Sequence, residues 1–183
     1  TPTTYALFES VNKTLTWHDL LYLEDPYPRW AVYFMALLNR CSHGVCEEIC
    51  NRLMVPIKEK SLLVEKRYKA ENRLALIEKA YPITRQELYW GLIDFNTEFI
   101  LYMMALAKDE AVRKAISNFY TRHRYIMPII CGKDLLALGI KPGPVFTQIT
   151  KLIINEKLDN RLETLEKEIL FAAHYARTNK LID

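Results

Sequence analysis

The sequence predicts an all-α protein, a multi-helix bundle of antiparallel helical hairpins with a small C-terminal helical unit. Three observations carry that prediction. Glycine is scarce, five in 183 residues, so few turns interrupt the apolar stretches. Half of the residues are hydrophobic, yet no stretch sustains the apolar–polar alternation that marks a half-buried strand. Helix-start signatures and prolines punctuate the chain instead.

Taken in order, the first helix is expected to end near Leu15, where Thr16 with Asp19 reads as a capping box for a short helix to Leu23. Pro26 and Pro28 mark a turn, with Pro28 at the start of a helix over 29–39. Gly44 restarts a helix through Met54. A long, charged helix over 58–80 follows, with Leu62, Leu63, Leu74, Leu76 and Ile77 as its apolar side and the charges of 58–79 as a solvated face. Pro82 breaks it, and Thr84 with Glu87 is a capping box for one or two helices over 84–107. Asp109 caps a helix over 110–120. No fixed-period repeat appears. A division near Met127-Pro128 gives a helical bundle over 1–127 and a helical hairpin unit over 128–183, or one continuous domain.

Lys and Arg number 25 against 22 Asp and Glu, a net charge of +3. Nucleic-acid binding then requires the cations to gather on one face. No segment reaches the roughly 20 apolar residues of a membrane span. The opening Thr-Pro-Thr-Thr-Tyr has no basic stretch leading into an apolar run, so no secretion signal is visible, and a cytoplasmic protein is expected. The chain opens without methionine, as an excised piece of something longer would. Cys41, Cys46 and Cys50 surround His43, but one cluster does not supply the paired clips of a zinc site. Buried, reduced thiols are expected, and no metal.

The most informative segment is Gly132-Lys133-Asp134-Leu135-Leu136-Ala137-Leu138-Gly139-Ile140-Lys141-Pro142-Gly143-Pro144-Val145-Phe146. Gly132 and Asp134 open a short helix whose apolar side is Leu135, Leu136 and Leu138. Gly139 suits the left-handed position that closes it. Pro142-Gly143 fits a type II turn, and Pro144 starts a second helix. Free amides and the dipole at that N-terminus can hold a phosphate, and Lys133 and Lys141 flank the turn. This is a seat for a nucleic-acid backbone that reads no sequence.

The segment resembles the C-terminal body and tail region of bacterial class II tRNA nucleotidyltransferases and poly(A) polymerases, whose G-x-D-L-x-x-x-G-x-x-P-G-P is met by Gly132, Asp134, Leu135, Gly139, Pro142, Gly143 and Pro144. The likeness continues through Ile149, Leu152, Leu158-Asp159-Asn160-Arg161, Thr164, Glu166 and Glu168, with Asn160 where that family has glycine. Asn tolerates the left-handed conformation nearly as well. Upstream, Trp17-His18-Asp19-Leu20-Leu21-Tyr22-Leu23-Glu24 and Trp30-Ala31-Val32-Tyr33 are similar to multi-domain members. The resemblance implies a parent enzyme that transfers CMP or AMP from CTP or ATP to a tRNA 3′ end with Mg2+. It also implies that this part holds the tRNA along its elbow and T arm.

The family's chemistry needs a Gly-Ser pair and a D-x-D carboxylate pair for two divalent ions. No glycine here precedes a serine and no D-x-D occurs, so no catalytic residue, metal or cofactor is assigned and the chain alone is expected to be inactive. Glu24-Asp25-Pro26-Tyr27-Pro28-Arg29 differs from the family's nucleotide-reading E-D-x-x-R by a late arginine and two prolines, and reads as a turn before a helix. His18-Asp19 raises an HD-type phosphohydrolase, but only four histidines exist.

The expected RNA contacts are Lys133, Lys141, the backbone of Gly143 and Val145, and the side chains of Thr147 and Gln148. Arg122 and Arg124 are further candidates for phosphates, with Tyr120 or Tyr125 for stacking on a base. Against these stands an ordinary helix end whose basic residues complement the dipole. Lys151, Lys157 and Arg161 read as solvated, and Asp134 as a structural cap. The expected partners are tRNA or other RNA and the missing N-terminal catalytic domain, with no DNA and no membrane. A non-catalytic helical scaffold that binds protein is the alternative, separable by a gel shift with tRNA.

Overall fold

The computed structural model describes residues 2–182, which contain helices and no strand. The all-α expectation is met. Two compact units are formed, Thr1–Thr121 and Arg122–Asp183.

In the first unit the helices are α1 (Pro2–Asp19), α2 (Arg29–Leu38), α3 (His43–Arg52), α4 (Ile57–Ser61), α5 (Arg67–Ala80), α6 (Arg85–Leu92), α7 (Thr97–Leu106) and α8 (Glu110–Thr121). Residues 97–105 of α7 are all buried, as befits a helix that is apolar nearly all round. Helices α1, α2, α5 and α8 pack against it.

Several local expectations need correction. Helix α1 does not stop at Leu15. Val11, Leu15 and His18 are all buried, so one inward face runs through Thr16, which lies inside the helix. Residues 20–22 form a turn and no helix follows to Leu23, with Tyr22 at φ 51°. Helix α3 begins a residue before Gly44, because the Ser42 hydroxyl caps it by accepting from the Val45 amide.

The charged helix is interrupted by a wide π-type turn over Leu62–Lys66, where the Arg67 amide reaches the Leu62 carbonyl. Leu63, Leu74 and Ile77 face the core as expected, but Leu76 is 58% exposed. In its place Arg67, expected on the solvated face, is fully buried.

The capping signatures downstream hold. Thr84 and Glu87 satisfy each other's amides at 3.1 and 2.8 Å, and these bonds keep the Glu87 carboxyl below its usual range. Asp109 accepts from the Ala111 amide at 2.8 Å at the start of α8.

The second unit opens with a 3-10 turn over His123–Tyr125, followed by α9 (Gly132–Ala137), α10 (Pro144–Leu158) and α11 (Leu165–Thr178). Ile130, Leu135, Ile140, Ile149, Ile153, Ala172 and Ala176 form its core. All three helices close in the same way. Gly139 (φ 83°), Asn160 (φ 58°) and Lys180 (φ 54°) take the left-handed position. The next residue's amide then reaches back to Leu135, Glu156 and Ala176 respectively. Asn160 therefore does what a glycine would do there.

Candidate nucleic-acid interface

The hairpin of α9 and α10 is built by its own caps. The Cys131 amide donates to Asp134 Oδ2 at 2.8 Å, so Asp134 is a cap and its carboxyl is held below the usual range by that bond. Gly132 sits against the Phe146 ring, where an added Cβ would lie 3.7 Å away, bringing the start of α9 onto the first turn of α10. Gly143 is the N-cap of α10 at φ 159° and ψ −163°, nearly extended, so the expected type II turn is not formed. Having no side chain, Gly143 supplies no side-chain cap, and of the first-turn amides after Pro144 that of Phe146 donates to the Gly143 carbonyl at 3.0 Å.

Behind this corner lies a contact that sequence reasoning missed. Glu168 in the first turn of α11 is fully buried, and its Oε2 accepts the amides of Ile129 and Ile130 at 2.7 and 2.8 Å. Its Oε1 meets Lys157 Nζ at 2.6 Å. Lys157 was expected in solvent, yet its side chain is only 14% exposed. One carboxylate thus ties the segment leading into α9 to the end of α10 and the start of α11. The sequence signal was the glutamate's place in the motif, with nothing to say what it would hold.

Lys133, Lys141, Gly143, Thr147 and Gln148 are all exposed, and Val145 is half-buried. Thr147 and Gln148 share a shallow depression with Pro144, Lys151 and Leu152, which Lys133 and Lys141 do not line. Arg122 and Arg124 lie in the lead-in before α9, where the Arg124 guanidinium stands 5.4 Å from the centre of the Tyr125 ring. Tyr120 is not available to stack on a base. It is fully buried in the first unit, 2.8 Å from His18 Nε2.

Residues 122–183 hold ten Lys and Arg against seven Asp and Glu, while the two signs balance in 1–121. The whole net charge of +3 therefore resides in the second unit.

The residues that invited other chemistry are occupied elsewhere. His18 points into the core beside Tyr120, whereas neighbouring Asp19 lies outside in a double contact with Arg29 at 2.8 Å. Asp25 accepts from Thr97 at 2.5 Å, so the carboxylates of Glu24-Asp25 and the Arg29 guanidinium do not form one reader. Among the described residues no group of three or more His, Cys, Asp or Glu is placed to hold a metal ion. Cys46 and Cys50 are buried, as expected of that cluster, whereas Cys41 is only partly buried and Cys131 is exposed.

An all-α region with the 132–168 hairpin is thus defined, and comparison with known proteins gives it relatives. It is 30% identical over 179 residues, 96% of this chain, to the A-adding tRNA nucleotidyltransferase of Geobacter sulfurreducens. It is 28% identical over 75 residues, 41% of the chain, to the A-adding tRNA nucleotidyltransferase of Halalkalibacterium halodurans. The resemblance read from 132–168 therefore extends along nearly the whole chain, which is related to part of a tRNA nucleotidyltransferase. The chain spans 20% and 18% of the lengths of these two relatives. No family model matches it, and no solved structure does. No described helix is long and apolar enough to cross a membrane.

Proposed function

We propose that this chain is the RNA-holding C-terminal region of a cytoplasmic tRNA nucleotidyltransferase, and that it positions tRNA for a catalytic domain it does not contain. The observation that carries the reading is the placement of the entire net positive charge in the unit that bears the hairpin. Lys133 and Lys141, the backbone of Gly143 and Val145, and Thr147 and Gln148 form the contact surface, with Arg122 and Arg124 beside it. Phosphates are held by charge and by the first-turn amides of α10, without base readout. The two relatives are named A-adding tRNA nucleotidyltransferases, which supports a parent that adds A to tRNA; on this reading Mg2+ and ATP are bound outside this chain. The sequence here holds neither the Gly-Ser nor the D-x-D pair that such chemistry uses.

The test is a gel shift of the chain with tRNA across a salt series. Lys133→Glu with Lys141→Glu is expected to weaken binding and flatten its salt dependence. Unchanged affinity at low salt would overturn the proposed face. Purified chain is expected to incorporate no ATP or CTP into tRNA, and incorporation would overturn the non-catalytic reading.

A further inference from the structure

The first unit is neutral as a whole, yet three of its cations share one cleft. Lys66, Lys69 and Arg73 follow at helical spacing along the π-type turn and α5, beside the buried face of Leu63, Arg67, Ala70 and Leu74. All three are exposed, and none engages a carboxylate among the described residues, whereas Lys60 and Arg67 of the same run are paired with Glu47 and Glu71. They line a cleft of about 490 Å³ whose one carboxylate is Asp94. Arg73 is steadied by Gly91, where an added Cβ would lie 3.7 Å from its Cδ, so its stem runs against the α6 backbone.

The opposite wall adds two features. Asn96, the N-cap of α7, lines the cleft and makes no side-chain capping bond, its side-chain amide nitrogen donating instead to Glu98 Oε1 at 3.4 Å. Phe95 is half-buried on the wall, braced by Phe99 at a ring separation of 6.3 Å. Cations along one wall with an aromatic face on the other are what a stacked nucleic-acid strand uses. The seven residue steps from Lys66 to Arg73 rise roughly 10 Å. At about 3.4 Å per phosphate along a stacked strand, that is three phosphate-to-phosphate steps.

We infer that this cleft is a second RNA-backbone contact, separate from the α9–α10 hairpin, with Lys66, Lys69 and Arg73 on phosphates of one strand and Phe95 against a base. It rests on the reading that the chain binds RNA, and the experiment separates the two. Labelled tRNA is titrated at several salt concentrations against the unaltered 183-residue chain, Lys66→Gln/Lys69→Gln, Lys133→Glu/Lys141→Glu and the control Lys58→Gln/Lys79→Gln. The control removes the same charge from the same run outside the cleft lining. The cleft variant is expected to lose affinity by about tenfold and to shed about one unit of log–log salt slope per lysine. A Phe95→Leu variant is expected to lose affinity with its salt slope unchanged. If the cleft variant binds like the unaltered chain, or no worse than the control, the cleft contact is overturned whatever the hairpin variant does. If the cleft variant alone loses binding, the cleft stands and the hairpin reading falls. No binding by the unaltered chain overturns both.

Discussion

The buried carboxylate of Glu168 accepts the Ile130 amide at 2.8 Å and the Ile129 amide at 2.7 Å, and it does so while paired with Lys157. Removing it leaves two amides and an ammonium without their acceptor in the middle of the second unit. Glu168→Ala is therefore expected to cost about 3–5 kcal/mol, read from urea unfolding. Glu168→Gln, which retains one acceptor oxygen, should lose less. Equal losses for the two variants would mean that the charge paired with Lys157, and not side-chain volume or the amide bonds, carries the contribution.

Arg67 offers the matching test in the first unit. Its guanidinium donates to Glu71 Oε1 at 2.6 Å, the Leu63 carbonyl at 3.0 Å and Cys46 Sγ at 3.1 Å. Burial works against its charge, but Glu71, Cys46 and Tyr102 outweigh it, so the arginine stays protonated. Tyr102 donates to the same Glu71 oxygen at 2.6 Å, and burial followed by that carboxylate pushes its phenol far above the usual range. Arg67→Ala strands Glu71 and is expected to cost about 3–5 kcal/mol. The double change Arg67→Met/Glu71→Leu should recover most of that loss, because it removes both charges together. A double variant as unstable as the single one would show that the cluster acts through more than this pair.

These two clusters also mark the limit of what the sequence discloses. Caps are local and were legible: Thr84 with Glu87, Asp134, Gly139, Asn160 and Pro144 each act within four residues of their own position. Arg67 and Glu168 act across 26 and 39 residues of chain, on Cys41 and Ile129. In the sequence they are charges among charges, and only packing distinguishes a buried one. Thr16 with Asp19 shows the converse, since a good local signature lost to the apolar face that continues from Val11 to His18. The hairpin was legible as a motif, while the cleft beside α5 needed α6 and α7 to be brought against it.

Acid should act through two of the legible caps. Glu87 is lowered from 4.5 by the Thr84 amide and then its hydroxyl, and Asp134 from 3.8 by the Cys131 backbone. A depressed folded value contributes stability that is present above those unfolded values and disappears as pH falls through the folded ones. The unfolding midpoint should therefore fall as pH drops from 5 towards 3. In Glu87→Gln/Asp134→Asn it should start lower at pH 5 and fall less. A double variant with the same slope as the unaltered chain would exclude these caps as the source.

Thiol chemistry gives the sharpest contrast between neighbouring residues of one type. Burial pushes the Cys46 and Cys50 thiols up, and the Arg67 charge only partly opposes it, so at pH 8 both are protonated as well as inaccessible. Cys131 is exposed at the start of α9, and Cys41 is intermediate. An aromatic disulfide reagent at pH 8 should modify Cys131 first, Cys41 more slowly, and Cys46 and Cys50 only on unfolding. Modifying Cys131 places a bulky group beside Gly132, which rests on Phe146. It should therefore disturb the α9–α10 corner and weaken tRNA binding, while modification of a Cys131→Ser chain should not. Fast labelling of Cys46 in folded protein would show that α3 opens readily, and tRNA affinity unchanged by Cys131 modification would place the RNA away from that corner.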